Sequence, residues 1–161
     1  MNSQPPLKNY TSSVPIERTI FRIESLLAQA GAKHIMKDYN QGQLTALTFH
    51  MDLPTGRTVA IRLPANVEAV YEVMREQMRR PRQDTLKRLA EQADRTAWKV
   101  VQDWLEVQLT LIRLNRADFL QVFLAYVWDG KRTFYDALKA ERYLALPEAT
   151  TTTHEQLPTH H

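Results

Sequence analysis

The sequence predicts an α+β fold: a small three-stranded antiparallel sheet packed on helices, with a helical C-terminal half built on one long helix. Three observations predict it. Apolar residues recur every three or four positions from Ile16 to Leu27, alternate with polar residues from Leu47 to Leu63, and return to spacings of three and four from Leu86 to Leu114. A chain of 161 residues that is 43% hydrophobic and 24% charged can bury one core, and is neither wholly disordered nor collagen-like. The apolar run from Phe119 to Trp128 is short and holds Gln121, so no segment is expected to span a bilayer.

Taken in order, residues 1–13 are polar, contain Pro5-Pro6, and read as a flexible arm. Ser12 or Ser13 is expected to cap a helix starting near Pro15, whose face is Ile16, Ile20, Ile23 and Leu27 and whose stop is Gly31. A strand over about His34 to Tyr39 leads through Asn40-Gln41-Gly42 into a β-hairpin. In the hairpin, Leu47, Phe49, Met51 and Leu53 alternate with polar residues, Pro54-Thr55-Gly56 turns the chain, and Val59, Ile61 and Leu63 alternate again. The apolar face of the sheet is expected to rest on the first two helices.

Asn66 is the expected cap of a second helix carrying Val67, Val70, Tyr71, Met74 and Met78, ended by Pro81. Asp84 is expected to cap the long helix. Its seam, Leu86, Ala90, Ala93, Ala97, Val100, Trp104, Val107, Leu111 and Leu114, keeps heptad spacing throughout. Either a fold-back onto a helical hairpin or a homodimer through this helix satisfies the pattern. A further helix starts at Asp118 and breaks at Asp129-Gly130, and Thr133 caps a last short one. The organisation is thus an arm (1–13), an α-β-β-β-α unit (14–80), a helical hairpin region packed on it (83–146), and a Thr-rich tail read as disordered (147–161).

The chain has no cysteine, which excludes disulfides, thiolate metal sites and cysteine nucleophiles and fits a reducing compartment. Together with an N-terminus unlike a signal peptide, this makes the cytoplasm, bacterial or host, the expected location. No Gly-rich phosphate loop, nucleophile elbow or His-Glu-x-x-His motif is present. His50 and Asp52 share one strand face but lack a third ligand; His154, His160 and His161 fall in the tail. Asp103 and Glu106 share a helical face, where paired carboxylates serve acid–base work or simply meet solvent. The expectation is a protein that is not an enzyme and needs no cofactor or metal.

Charge is the stronger signal. The net charge is only +3, but Arg75, Arg79, Arg80, Arg82, Lys87, Arg88, Arg95 and Lys99 cluster, opposed by Glu76, Asp84, Glu91 and Asp94. Arg79, Arg80 and Arg82 flank a proline and so project from a turn, while Arg88, Arg95 and Lys99 share one helical face. Together they can neutralise phosphates and displace counterions. The plainer reading is a solvated surface with a Glu91–Arg95 salt bridge. Trp98 lies beside Arg95 and Lys99, where it either stacks on a base or covers the core edge. Phe123, Tyr126 and Trp128 either form an aromatic patch for a protein partner or close the core.

The helix, three strands and helix over about residues 15–78 resemble the double-stranded-RNA-binding domain in topology. The Lys-rich start of that family's second helix is replaced here by Asn66-Val67-Glu68-Ala69, so its phosphate contacts do not carry over. The segments Tyr10–Pro15, Ile61–Tyr71 and Arg95–Trp104 resemble a group of small proteins of phages, prophages and mobile elements, over about Tyr10 to Leu146. That resemblance supplies a context but no activity and no functional residues. The function expected is non-catalytic nucleic-acid binding, DNA before RNA, as an accessory of a phage or mobile element, through Arg79, Arg80, Arg82, Arg88, Arg95, Lys99 and Trp98. The alternative is a modulator or inhibitor of a host enzyme or defence factor, acting through Phe123, Tyr126 and Trp128.

Overall fold

Four antiparallel strands in the order β1-β2-β3-β4 carry one apolar face, and the helices are arranged around it in the computed structural model, which describes residues 6–149. The elements in chain order are α1 (Ile16–Gln29), β1 (Lys33–Asn40), β2 (Gln43–Asp52), β3 (Thr58–Pro64), α2 (Val67–Glu76), α3 (Gln83–Arg113), α4 (Phe119–Phe123), a 3₁₀ turn (Leu124–Tyr126), β4 (Val127–Trp128) and α5 (Phe134–Ala140). The α+β class and the single long helix agree with the sequence; the strand count does not. Val127 and Trp128, expected at the end of a helix, leave it and pair with Ile61 and Ala60 of β3. A β-branched and an aromatic residue suit a strand, and this pairing extends the edge of β3. The fourth strand also returns the C-terminal half to the sheet.

The hairpin register follows the alternation read in the sequence: Phe49 opposes Ile61, Met51 opposes Val59 and Leu47 opposes Leu63. Leu47, Phe49 and Ile61 are fully buried, in one cluster with Ile23 and Leu27 of α1, Trp98 and Leu105 of α3, and Phe123 of α4. The sheet therefore packs on α1 and α3. The second helix, expected on the sheet, packs mainly on α3 instead, where Met74 meets Leu89 and Ala93 in a smaller cluster. Phe49 and Phe123 meet edge-to-face with ring centroids 5.9 Å apart, a geometry favoured by the ring quadrupoles.

The long helix is buried on two faces. Leu89, Ala93 and Ala97 turn toward α2, whereas Trp98, Gln102 and Leu105 turn toward the sheet and α1. The second set is also spaced four and three apart, so a single helix carries two seams. The heptad seam expected from the sequence holds at Ala93 and Ala97 but not at its start: Ala90 is exposed, and Leu89 rather than Leu86 meets α2.

Helix ends differ from the expectations in instructive ways. Thr133 caps α5 through a capping box with Asp136, as expected. Asn66 stands at the start of α2 in a left-handed conformation (φ 53°) and makes no side-chain cap bond. Pro15 and Arg82, rather than Ser13 and Asp84, occupy the positions before α1 and α3, and neither makes a side-chain cap bond. The second helix ends at Glu76, before Pro81, which leaves a connecting corner of residues 77–82. No residue of α5 is buried.

Residues 7–12 do not behave as the arm expected from their composition. They lie along α3, where Thr96 donates its hydroxyl to the Asn9 carbonyl (3.0 Å) and Gln92 donates to the Ser12 carbonyl (3.0 Å). The proposed disorder of the C-terminal tail concerns residues of which 150–161 lie outside those described.

Truncating a ring at the centre of the core removes buried area and leaves a hollow. Phe49→Ala is expected to lower unfolding stability by about 3–5 kcal/mol, against less than about 0.5 kcal/mol for Tyr39→Ala at a site 62% exposed, as read from urea unfolding midpoints.

Candidate nucleic-acid interface

Two antiparallel helices of unequal length must be joined by a corner, and here that corner is the most cationic part of the chain. Arg75 lies in the last turn of α2, Arg79, Arg80 and Arg82 in the connection, and Lys87 and Arg88 in the first turns of α3. All six are exposed, and none of them forms an ion pair among the described residues. Glu76 and Asp84 are the acids within that span, so six cations stand against two carboxylates. Arg75 and Lys87 were named in the basic segment but not in the expected site; they belong to the same corner.

The corner is conformationally constrained. Pro81 fixes its own φ and has no N–H, and Arg80 before it adopts the left-handed region at φ 46°. For a side chain with a Cβ that region costs about 1–2 kcal/mol. Pro81 thus narrows the backbone freedom of the connection that carries the arginines.

Two of the expected phosphate-binding residues are drawn away from this surface. Arg95 is half-buried beneath residues 7–12: its Nε donates to the Ser12 carbonyl (3.3 Å) and its terminal nitrogen to Gln92 Oε1 (2.6 Å). The Glu91–Arg95 bridge weighed above is not among the ion pairs of the described residues. Lys99 is likewise half-buried and pairs with Asp103 at 2.9 Å. The same carboxylate accepts from Lys8 at 2.7 Å and from Asn9 at 2.9 Å. Burial pushes the Asp103 carboxyl up, but the hydrogen bonds from Lys8, Asn9 and Lys99 outweigh it and hold the group at about 2. Asp103 thus anchors the N-terminal segment, a role that its i, i+4 spacing from Lys99 only half announced. Glu106, weighed as its acid–base partner, is occupied by Arg22 (3.2 Å) and Gln102 (3.3 Å).

The aromatic expectations need correction. Trp98 is fully buried in the main core, on the seam of Gln102 and Leu105, and cannot stack on a base. Phe123 is also fully buried, between Phe49, Trp104 and Phe119. The aromatic patch expected at Phe123, Tyr126 and Trp128 is therefore divided. Tyr126 is half-buried against Trp104, with centroids 5.4 Å apart. Trp128 is half-buried in β4, where the Arg62 guanidinium lies 4.8 Å from its ring and pairs with Asp38. His50 meets His34 ring to ring at 5.5 Å, and Asp52 accepts from Lys33 and Thr58, which lower its pKa.

A separate hollow of about 410 Å³ lies between α2, α3 and the end of β3, lined by Leu7, Ala69, Val73, Ala97, Trp104 and Tyr126 among others, with no charged residue. No family model, no curated protein and no solved structure matches this chain.

Two outcomes follow from this geometry. The folded-state value of Asp103 lies below the ordinary 3.8, so its ion pairs contribute fully above that pH and are lost as the pH falls from 3.8 toward 2. The melting temperature is expected to drop across that window, and Asp103→Asn to flatten the drop, in thermal melts at stepped pH. Arg80→Gly relieves the left-handed strain and is expected to stabilise the fold by about 1 kcal/mol in denaturant titrations.

Proposed function

We propose that this protein binds nucleic acid without catalysing a reaction, through the phosphate backbone, at the α2–α3 corner. One observation carries the reading: Arg75, Arg79, Arg80, Arg82, Lys87 and Arg88 project from one constrained corner, exposed and without ion-pair partners among the described residues. Guanidinium groups free of internal carboxylates bind phosphate oxygens with no protein salt bridge to break. Each phosphate neutralised releases condensed counterions, so affinity rises as salt falls. Contacts to phosphates position a protein on the polymer but do not read bases. The burial of Trp98 removes the base-stacking element of the expected site and favours recognition of the backbone alone. DNA is the polymer we propose, in the setting of a phage or mobile element that the sequence resemblance suggests.

The site proposed is narrower than the one read from sequence. Arg79, Arg80, Arg82 and Arg88 remain; Arg75 and Lys87 join them; Arg95 and Lys99 are assigned to holding the N-terminal segment.

The test is a gel shift with duplex and single-stranded DNA and RNA across a salt series. The logarithm of affinity is expected to fall linearly with the logarithm of salt, and each corner arginine changed to alanine to reduce the slope by about 0.9. Arg79→Glu with Arg80→Glu is expected to abolish the shift, whereas Arg95→Ala leaves the slope unchanged. Retention of DNA by the double variant, or the absence of any shift at low salt, overturns the reading.

A further inference from the structure

The cationic row that begins at the corner continues along α3 and is then covered. Arg88 and Arg95 lie two turns apart on one helical face, about 10 Å along the axis at 1.5 Å per residue. Arg88 is exposed, whereas Arg95 is half-buried under residues 7–12. The Ser12 carbonyl accepts from both Arg95 (3.3 Å) and Gln92 (3.0 Å), and the Asn9 carbonyl accepts from Thr96 (3.0 Å). Further along, Lys8 and the Asn9 amide reach Asp103. Residues 7–12 thus form a strap that crosses α3 beside the corner and takes one of its cations.

The hold of this strap is partial. It forms turns but neither helix nor strand, and its bonds to α3 are polar. Leu7 is its apolar anchor, packed against the Met74, Leu89 and Ala93 cluster. Two features work against closure. Asn9 stands in the left-handed region at φ 61°, and the Ser12 hydroxyl is buried without a hydrogen-bond partner among the described residues. A segment tied down in this manner opens locally, without the core.

We propose that residues 7–12 are an autoinhibitory strap: closed, they withhold Arg95 from phosphate; open, they add it to the cationic row of the corner. This regulation rests on the nucleic-acid reading of that corner. Opening frees Arg95 but not Lys99. The partner of Lys99, Asp103, stands on α3 itself and stays with it when Lys8 and Asn9 leave. The remaining partner of Arg95, Gln92, is neutral and does not cancel its charge. Glu91, one turn back and exposed, offers only a surface pair at i, i+4, which is weak and yields to a phosphate. The open protein therefore makes one phosphate contact more than the closed one.

Gel shifts on duplex DNA across a salt series, comparing the full chain with its Asn9→Pro variant, test this. Proline cannot adopt φ 61°, so the substitution unseats the strap and leaves every residue of α3 in place. The slope of log affinity against log salt is expected to steepen by about 0.9, which makes the advantage of the variant grow about 3.5-fold between roughly 200 and 50 mM salt. Adding Arg95→Ala to Asn9→Pro is expected to return the slope to that of the unsubstituted chain. Gln92→Ala removes one donor to the Ser12 carbonyl and one acceptor of Arg95, and is expected to steepen the slope by less. It keeps the question decidable if Asn9→Pro loses the circular-dichroism spectrum of the fold. Corner-dependent binding with the same slope in the unsubstituted chain and in the folded variants overturns the strap and leaves the nucleic-acid reading standing. A steeper slope that survives Arg95→Ala comes from the freed Lys8 and also overturns it. No shift from any of these proteins at low salt overturns the reading and the strap together.

Discussion

The architecture depends on the burial of one long helix on two of its faces. The first half of α3 needs α2 to cover Leu89 and Ala93, and the second half needs the sheet and α1 to cover Trp98 and Leu105. Neither packing partner alone accounts for the length of the helix. Because α2 ends at Glu76 and α3 begins at Gln83, a short corner joins them, and the cationic surface arises at that junction.

Electrostatics sort the basic residues into two groups with different tasks. Asp103 gathers Lys8, Asn9 and Lys99 into one cluster, and the Ser12 carbonyl takes up Arg95. Those contacts tie a segment of polar composition onto α3 and leave the half-buried Arg95 and Lys99 little access to a phosphate. Among the described residues the corner arginines have no such partners. A row of like charges along a helix is thus divided by which of its members the rest of the chain can reach.

Much of the fold was legible because its determinants are local. Alternation from Leu47 to Leu63 reports a hairpin with one buried face, and Thr133 with Asp136 reports a helix start within four residues. What could not be read depends on partners distant in sequence. Val127-Trp128 becomes a strand only because β3 offers an edge to pair with, and a two-residue strand leaves no periodicity to detect. Residues 7–12 read as an arm because their hydrogen-bond partners are distant in sequence: the Asn9 and Ser12 carbonyls accept from Thr96, Gln92 and Arg95, and the Asn9 amide donates to Asp103, all 80 or more positions away. Trp98 reads as a base-stacking or core-edge residue because it falls beside the Ala97–Trp104 seam, next to Arg95 and Lys99; the second seam on which it is buried runs through a polar residue, Gln102, itself buried and bonded to Glu106. At the corner, sequence named the residue types and the turn. It could not say which cations had partners, since that turns on where Ser12 and Asp103 come to lie.

The absence of any buried residue in α5 has a dynamic consequence. Its order comes from the capping box at Thr133 and from contacts with the preceding 3₁₀ turn, with little apolar burial behind them. Segments held in this way open at a small fraction of the free energy of global unfolding. Helix α5 is therefore expected to open locally at lower free energy than the sheet and α3. Its backbone amides exchange with solvent through that local opening, so the chain carries two tiers of stability along one polypeptide.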